Sequence, residues 1–256
     1  MDGLEGAVAL VTGAARGIGK AIVGELVACG AKVVAVDRDG PTLSEVMEAS
    51  DRPDALLGVT ADVTDAEQMA AAVRQAEQRF GQVGVLVNNA GISAYFDVVE
   101  MTEADWDKVL SVDLKGAWIC ARAVIPSMRT LGRGSIVNIA SIHATVTVDG
   151  MFPYAVAKSG LIGFTRSLAL DLAPEGIRVN AVSPGWTRTQ LVQEWFDNQP
   201  DPEEAERSVL RVHPMGRICE PAEIATAVRF LASDAASGMT GAEVAVDAGL
   251  GVRMPT

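Results

Sequence analysis

The stretch "LVTGAARGIGKAI", residues 10–22, decides how the rest of the chain is read. Gly13, Gly17 and Gly19 stand between a run of β-branched residues and a segment with helical periodicity. Glycine at such a junction lets the backbone turn tightly and lets its N–H groups approach an anion, which the positive end of the following helix then favours. A glycine triplet alone marks only a turn. With a strand before it and a helix after it, the triplet predicts a loop that carries the pyrophosphate of a dinucleotide.

The next β-branched run, in "AKVVAVDRD" (31–39), reaches Asp37, 24 residues after Gly13. An acid at that distance reaches the adenosine ribose hydroxyls and repels a 2′-phosphate, so NAD is expected and NADP is disfavoured. Arg16 and Arg38 argue the other way, since together they offer a 2′-phosphate two guanidinium groups. The plainer reading leaves both on the solvated surface.

Five more runs continue the pattern: "ALLGVTADV" (55–63), "VGVLVNNAG" (83–91), "GSIVNIAS" (134–141), "IRVNAVSPG" (177–185) and "AEVAVDAG" (242–249). Between the runs lie helix-period segments at roughly 16–29, 41–49, 65–80, 103–130, 153–173 and 221–232. The alternation predicts an α/β protein with a Rossmann-like, doubly wound parallel sheet of about seven strands and helices on both faces. No repeat or linker divides residues 1–256, which read as one dinucleotide-binding domain. Residues 186–211, "WTRTQLVQEWFDNQPDPEEAERSVLR", are too long for an ordinary strand-to-helix connection and predict an inserted substrate lid.

Composition narrows the function. With 33 acidic against 21 basic residues the formal net charge is −12, which argues against duplex DNA or an anionic bilayer as a partner. Cys29, Cys120 and Cys219 are scattered, odd in number and accompanied by only two histidines, so neither a disulfide framework nor a metal site is expected. The N-terminus lacks a basic n-region, and no apolar run approaches the length of a membrane span. A soluble, cytoplasmic protein is the expectation.

A second stretch carries chemistry. In "YAVAKSGLIGFTRSLAL" (154–170), Tyr154 and Lys158 are four residues apart and share one helix face. A free phenol, with a pKa of about 10, is a poor base at neutral pH, and a neighbouring ammonium favours its ionised form. Such a pair also occurs by chance, with the lysine reaching solvent along its own stem. Ser141 tilts the balance, because it follows the strand run 134–141 at the carboxyl end where open α/β sheets bind ligands.

With "TGAARGIG" (12–19), "NNAG" (88–91) and "YAVAK" (154–158) in this order, the sequence resembles the short-chain dehydrogenase/reductase family over essentially its whole length. The resemblance implies that Tyr154 is the general base in oxidation or acid in reduction, that Ser141 anchors the substrate oxygen, and that Lys158 binds the nicotinamide ribose and favours the tyrosinate. It implies cofactor contact by Gly13, Arg16, Gly17, Ile18, Gly19, Asp37, Tyr154 and Lys158. Asp62 and Val63 would meet the adenine, Asn89, Ala90 and Gly91 the adenosine side, and Pro184, Gly185, Thr187 and Thr189 the nicotinamide. Simpler roles exist for some of these, Asp62 as a helix cap and the asparagines as partners for strand-end backbone.

Two positions depart from the family pattern. Asp113 stands where asparagine is usual, which places a carboxylate in the proton relay, and Ala248 replaces a glycine in "VDAG". His143 is expected over the nicotinamide beside the substrate, while His213 reads as structural. Trp186 and Trp195 in the lid suit the C–H faces of a sugar, and the lid is similar to those of the sugar-oxidising branch. The expected activity is hydride transfer between NAD and a small secondary alcohol or carbonyl, such as an aldose oxidised to its lactone. A ketone, hydroxysteroid or 3-oxoacyl reductase is the alternative, and a non-catalytic NAD-binding regulator the competitor from another class. Helix 153–173 is apolar almost all round, which with the resemblance implies a homotetramer.

Overall fold

A computed structural model describes residues 3–252, so the expected domain ends at 1 and 256 lie just outside the described residues. Seven strands, β1 (Val8–Thr12), β2 (Lys32–Asp37), β3 (Leu56–Thr60), β4 (Val83–Asn88), β5 (Gly134–Ile139), β6 (Ile177–Pro184) and β7 (Glu243–Val246), form a single sheet. The spatial order is β3-β2-β1-β4-β5-β6-β7 and every pairing is parallel. Parallel strands covered on both faces read as continuous apolar runs, and all five residues of β1 are buried.

The helices are α1 (Gly17–Ala28), α2 (Gly40–Glu48), α3 (Ala66–Phe80), α4 (Glu103–Leu110), α5 (Gly116–Leu131), α6 (Tyr154–Leu172), α7 (Gln190–Asp197), α8 (Pro202–Val212) and α9 (Pro221–Ala232). Ile22 and Leu26 of α1 meet Ile224, Val228 and Leu231 of α9 on one side of the sheet. Met69 of α3, Val124 and Met128 of α5 and Leu172 of α6 build the core of the other side. Each such side chain contributes about 1.5–3 kcal/mol by leaving water. The expected doubly wound α/β domain is therefore observed. Among the described residues no helix is long and apolar enough to cross a membrane.

The helix expected over 103–130 is interrupted. α4 and α5 are joined without a break in direction by a wide π-helical turn, Ser111–Lys115. Such single wide turns gather at functional sites because they aim one side chain away from the regular face. Here the buried residue of the turn is Asp113.

Residues 186–211 hold more regular structure than the sequence suggested. Thr189 caps α7 by accepting the Val192 N–H at 3.3 Å, and Asp201 caps α8 by accepting the Glu204 N–H at 3.0 Å. The two helices close over a small core of their own, Phe196, Val209 and Ile218, flanked by Trp186 and Trp195. His213 is buried at the end of α8, and its Nδ1 donates to the Val209 carbonyl at 2.6 Å. Ala248 takes a left-handed conformation, φ 52°, where the family has glycine.

The turn from β1 into α1 is the tightest place in the fold. Gly13 and Gly17 adopt φ of 63° and 50°. A Cβ at Gly19 would sit 1.9 Å from the Gly13 carbonyl oxygen and 2.6 Å from Asn89 Nδ2. The carbonyl cannot yield without moving backbone, and the amide cannot without losing its bonds to the Thr12 and Gly13 carbonyls. Gly19→Ala is expected to cost about 2–3 kcal/mol through overpacking, roughly 5–10 °C in Tm for a chain of this size. Calorimetry checks this, and an unshifted Tm would contradict the packing described.

Candidate active site

The sheet reverses its order between β1 and β4, and the carboxyl ends of β1, β4, β5 and β6 converge on one edge, the place where open α/β sheets take ligands. α6 starts at this edge with Tyr154, and its Lys158 lies one turn deeper, 4% exposed. The Lys158 Nζ donates to the Ile139 carbonyl at 3.1 Å and stands 5.4 Å from the centre of the Tyr154 ring. Its counter-ion is Asp113, whose Oδ2 is 3.3 Å away and has no hydrogen-bond partner. Asp113 Oδ1 accepts the Ile92 N–H at 2.9 Å. The pair meets because residue 91 has no side chain, since a Cβ there would fall 3.1 Å from Asp113 Oδ2 and 3.3 Å from Nζ.

Burial works against the Lys158 charge, but Asp113 and Tyr154 outweigh it and raise its pKa, so the side chain is a cation at neutral pH. Burial pushes the Asp113 carboxyl above its ordinary value, against the pull of Lys158 and the Ile92 N–H. Ser141 is buried just beyond β5, and its Oγ accepts the His143 N–H at 3.2 Å. The His143 ring meets the Tyr154 ring edge-on at 5.9 Å and bonds Thr147 Oγ1 at 3.0 Å. Burial lowers the His143 pKa, which favours the neutral imidazole. Ser159 of α6 donates to the Ala144 carbonyl at 2.9 Å and ties this turn to the tyrosine helix.

The nucleotide-facing residues fit a dinucleotide. Gly13, Gly17 and Gly19 leave the mouth of α1 without side chains, and Ile18 packs under the loop. Asp37 Oδ2 accepts the Ala15 N–H and Oδ1 the Asp39 N–H, both at 2.9 Å. A carboxylate has about four acceptor positions, so two stay open to ribose hydroxyls. Asn89 Nδ2 donates to the carbonyls of Thr12 and Gly13, each at 3.0 Å, while Thr12 Oγ1 accepts the N–H groups of Asn89 and Ala90 at 3.1 Å. Across the cleft, a Cβ at Gly17 would lie 3.1 Å from Thr189 Cγ2, so the 184–189 segment faces the glycine loop. Pro184 ends β6, Gly185 bonds Val246, and the Thr187 hydroxyl donates to the Gly185 carbonyl at 3.0 Å.

Several expected residues also have local partners. The Asp62 carboxylate accepts the Thr64 N–H and hydroxyl at 2.8 and 2.7 Å, a local turn, while Val63 is buried in the core. Trp186 stacks on Phe196 at 5.8 Å and meets Trp195 edge-on at 4.9 Å, so the two indoles pack chiefly on each other. Arg16 is paired with Asp39 rather than joined with Arg38. The sequence reading also missed a wall of the site. Tyr95, Phe96, Val98, Gly150 and Phe152 line a groove of about 540 Å³, large enough for a small ligand. Phe96 and Tyr154 pack against the same small core, and burial, then the interaction with Tyr154, raises the Tyr95 phenol pKa. The available signal was an aromatic pair just after the carboxyl end of a predicted strand.

A Rossmann-type sheet with a glycine loop at its switch point and a serine, a tyrosine and a buried lysine at its carboxyl edge defines a dinucleotide-dependent oxidoreductase. Residues 13–251 match the family model described as enoyl-(acyl carrier protein) reductase. The 3-oxoacyl-(acyl-carrier-protein) reductase FabG of Thermotoga maritima is 41% identical over 96% of this chain and 98% of its own. The D-threitol dehydrogenase of Mycolicibacterium smegmatis is 37% identical over 98% and 95%. Among solved structures, the aldohexose dehydrogenase of Thermoplasma acidophilum superposes with a TM-score of 0.90 at 35% identity, covering 99% of this chain and 97% of that one. The chain belongs to the short-chain dehydrogenase/reductase family. It is an enzyme of CH–OH and carbonyl substrates that uses NAD(P).

Removing one member of a buried ion pair strands the other, at a cost of about 3–5 kcal/mol. Asp113→Ala also orphans the Ile92 N–H, whereas Asp113→Asn keeps an oxygen for it. Denaturant titration should therefore rank the wild type above D113N and D113N above D113A, with D113A lower than the wild type by at least about 3 kcal/mol. Equal stability of the two variants would show that the Ile92 bond contributes nothing.

Proposed function

We propose that the protein is an NAD-dependent dehydrogenase of small polyhydroxylated alcohols, sugars or polyols, and that it converts a secondary or anomeric hydroxyl to the carbonyl. The observation that carries the reading is the phenol of Tyr154 above the buried Lys158 cation, with His143 touching both the Tyr154 ring and the Ser141 hydroxyl. When bound, the oxidised nicotinamide supplies a two-electron acceptor for the hydride leaving the substrate carbon. Ser141 holds the substrate oxygen, and the Tyr154 oxygen takes the hydroxyl proton as the carbonyl forms. Lys158 stabilises the tyrosinate electrostatically and reaches the nicotinamide ribose, and Asp113 keeps that lysine charged. His143 and the aromatic groove flank the substrate, and α7 and α8 form the lid, whose Trp186 and Trp195 face one another beside Phe196.

Three things support the substrate and cofactor. D-threitol and aldohexose dehydrogenases are among the relatives. Asp37 faces the ribose side, and Gly13, Gly17 and Gly19 cradle the phosphates, with Asn89, Ala90, Gly91, Gly185, Thr187 and Thr189 along the rest of the cleft. A second reading, reduction of a 3-oxoacyl thioester with NADPH, is favoured by the FabG relative.

Near-ultraviolet absorbance of reduced nicotinamide decides between them. Purified enzyme with NAD or NADP is tested against aldoses, polyols and cyclic secondary alcohols, and with NADPH against a 3-oxoacyl thioester. The expected result is NAD reduction by one polyol or aldose, with Tyr154→Phe slower by about 10²–10⁴-fold. Thioester reduction alone would replace this reading with the second. NAD binding without turnover of any substrate would move the protein to the non-catalytic NAD-binding class.

Exposed apolar side chains lie on both helical layers, Trp118, Val156 and Leu170 on α5 and α6, and Phe230 on α9, with Leu170 77% exposed. Two self-complementary interfaces on opposite layers generate a homotetramer. Light scattering is expected to give four times the chain mass of 26.7 kDa, and a monomer would refute it.

A further inference from the structure

The aromatic groove is built by two loops, residues 92–101 after β4 and 142–153 after β5. The Phe96 N–H donates to the Gly150 carbonyl at 3.2 Å, which fastens the loops together. A Cβ at Gly150 would lie 3.9 Å from Tyr95 Cδ1, so the Tyr95 ring rests against that backbone, and it stays 56% exposed. Phe152, tilted against Trp106 at 5.5 Å, supplies a second ring. Asp97 is the charged residue of the lining. Its Oδ1 accepts the Val99 and Glu100 N–H groups at 2.8 and 3.1 Å, which holds the carboxylate in place. A carboxylate has about four acceptor positions, so others stay open.

Charge sets this wall apart. Residues 92–101 and 142–153 contain Asp97, Glu100 and Asp149 and no lysine or arginine. In the first part of the lid, residues 186–197, the one cation is Arg188, and Glu206 engages it at 2.6 Å. Burial favours the neutral imidazole of His143. A carboxylate or phosphate on the substrate would therefore meet like charge on these elements and no counter-ion. A neutral molecule rich in hydroxyls is matched instead. The rings take its C–H face, the Asp97 carboxylate, which can only accept, takes a hydroxyl hydrogen, and the protonated Tyr95 phenol can donate to a hydroxyl oxygen. We propose that Asp97 is a specificity-determining residue, which accepts a hydroxyl of a neutral substrate stacked on Tyr95 and turns away analogues that carry a carboxylate or phosphate. The inference rests on the reading that the enzyme oxidises small polyhydroxylated alcohols.

The test compares neutral aldohexoses and alditols with their terminal phosphate esters, as substrates of the intact enzyme with NAD. Wild-type kcat/KM is expected to favour the neutral compound by at least about 100-fold, the scale of one like-charge juxtaposition. Salt should narrow that gap by screening the repulsion. Asp97→Asn is the informative variant, because asparagine keeps an oxygen for the Val99 and Glu100 N–H groups and so retains the turn. D97N is expected to raise KM for the neutral compound about tenfold, the scale of one charge-assisted bond, with kcat changed less than about threefold. Its preference over the phosphate ester should shrink by about 30-fold or more. Tyr95→Leu should raise KM for both compounds by about fivefold and leave the preference as in the wild type. Three outcomes overturn the proposal: a wild type that uses the esters as readily as the neutral compounds, a D97N preference within about threefold of the wild type's, or a wild-type preference that salt does not move, which decides the matter even if D97N fails to fold. Reduction of a 3-oxoacyl thioester with no turnover of any sugar or polyol would instead refute the functional reading, and the role of Asp97 with it.

Discussion

Everything at the carboxyl edge of the sheet depends on how Thr12 and Asn89 close the gap between β1 and β4. At that point the chain sends one helix to each face, which leaves two strand ends with unpaired backbone groups. The Thr12 hydroxyl takes two of the N–H groups and the Asn89 amide serves two of the carbonyls. With those groups satisfied from within, the glycine loop is held in one shape. The crevice exists because the protein meets its own backbone demand with two short side chains instead of with a further strand.

The second support is electrostatic. A lysine at 4% exposure is tolerable only with a counter-charge, and Asp113 provides one from a different helix. The same carboxylate binds the Ile92 backbone, so the loop after β4, the helix α6 and the wide turn in the α4–α5 rod are fastened at one point. The glycine-loop cleft and the Tyr154–Lys158 pair therefore share a mechanical anchor. A substitution at either member disturbs stability and chemistry together, which is why the aspartate and asparagine versions of this position need not be equivalent.

Much of this was legible in the sequence, for physical reasons that differ by residue. The sheet was readable because doubly covered strands leave long apolar runs, and the glycine loop because its geometry tolerates few alternatives. Tyr154 and Lys158 announced themselves by carrying polar chemistry at helical spacing in an apolar segment. The partner of Lys158 was visible only as a family departure, since its position depends on an irregular turn that no periodicity reveals. α7 and α8 were hidden by their mixed composition, although Thr189 and Asp201 were caps in plain view. The aromatic groove was missed because Tyr95 and Phe152 come from loops distant in sequence, and the Arg16–Asp39 pair because two surface charges far apart along the chain give no signal until the chain folds.

The wide turn at 111–115 has one more implication, for counting. Val109 before the turn, Asp113 within it and Ala117 and Cys120 after it are all buried, and a π-helical turn closes its hydrogen bonds one residue later than an α-helix does. The rod thus carries one supernumerary residue, and the bulge lets the flanks on either side stay in phase with their own neighbours. A chain shortened by one residue in this span could form a regular α-helix with both flanks still in place. It would have no position left from which a carboxylate reaches the lysine, so the irregular turn is what gives Lys158 its counter-ion.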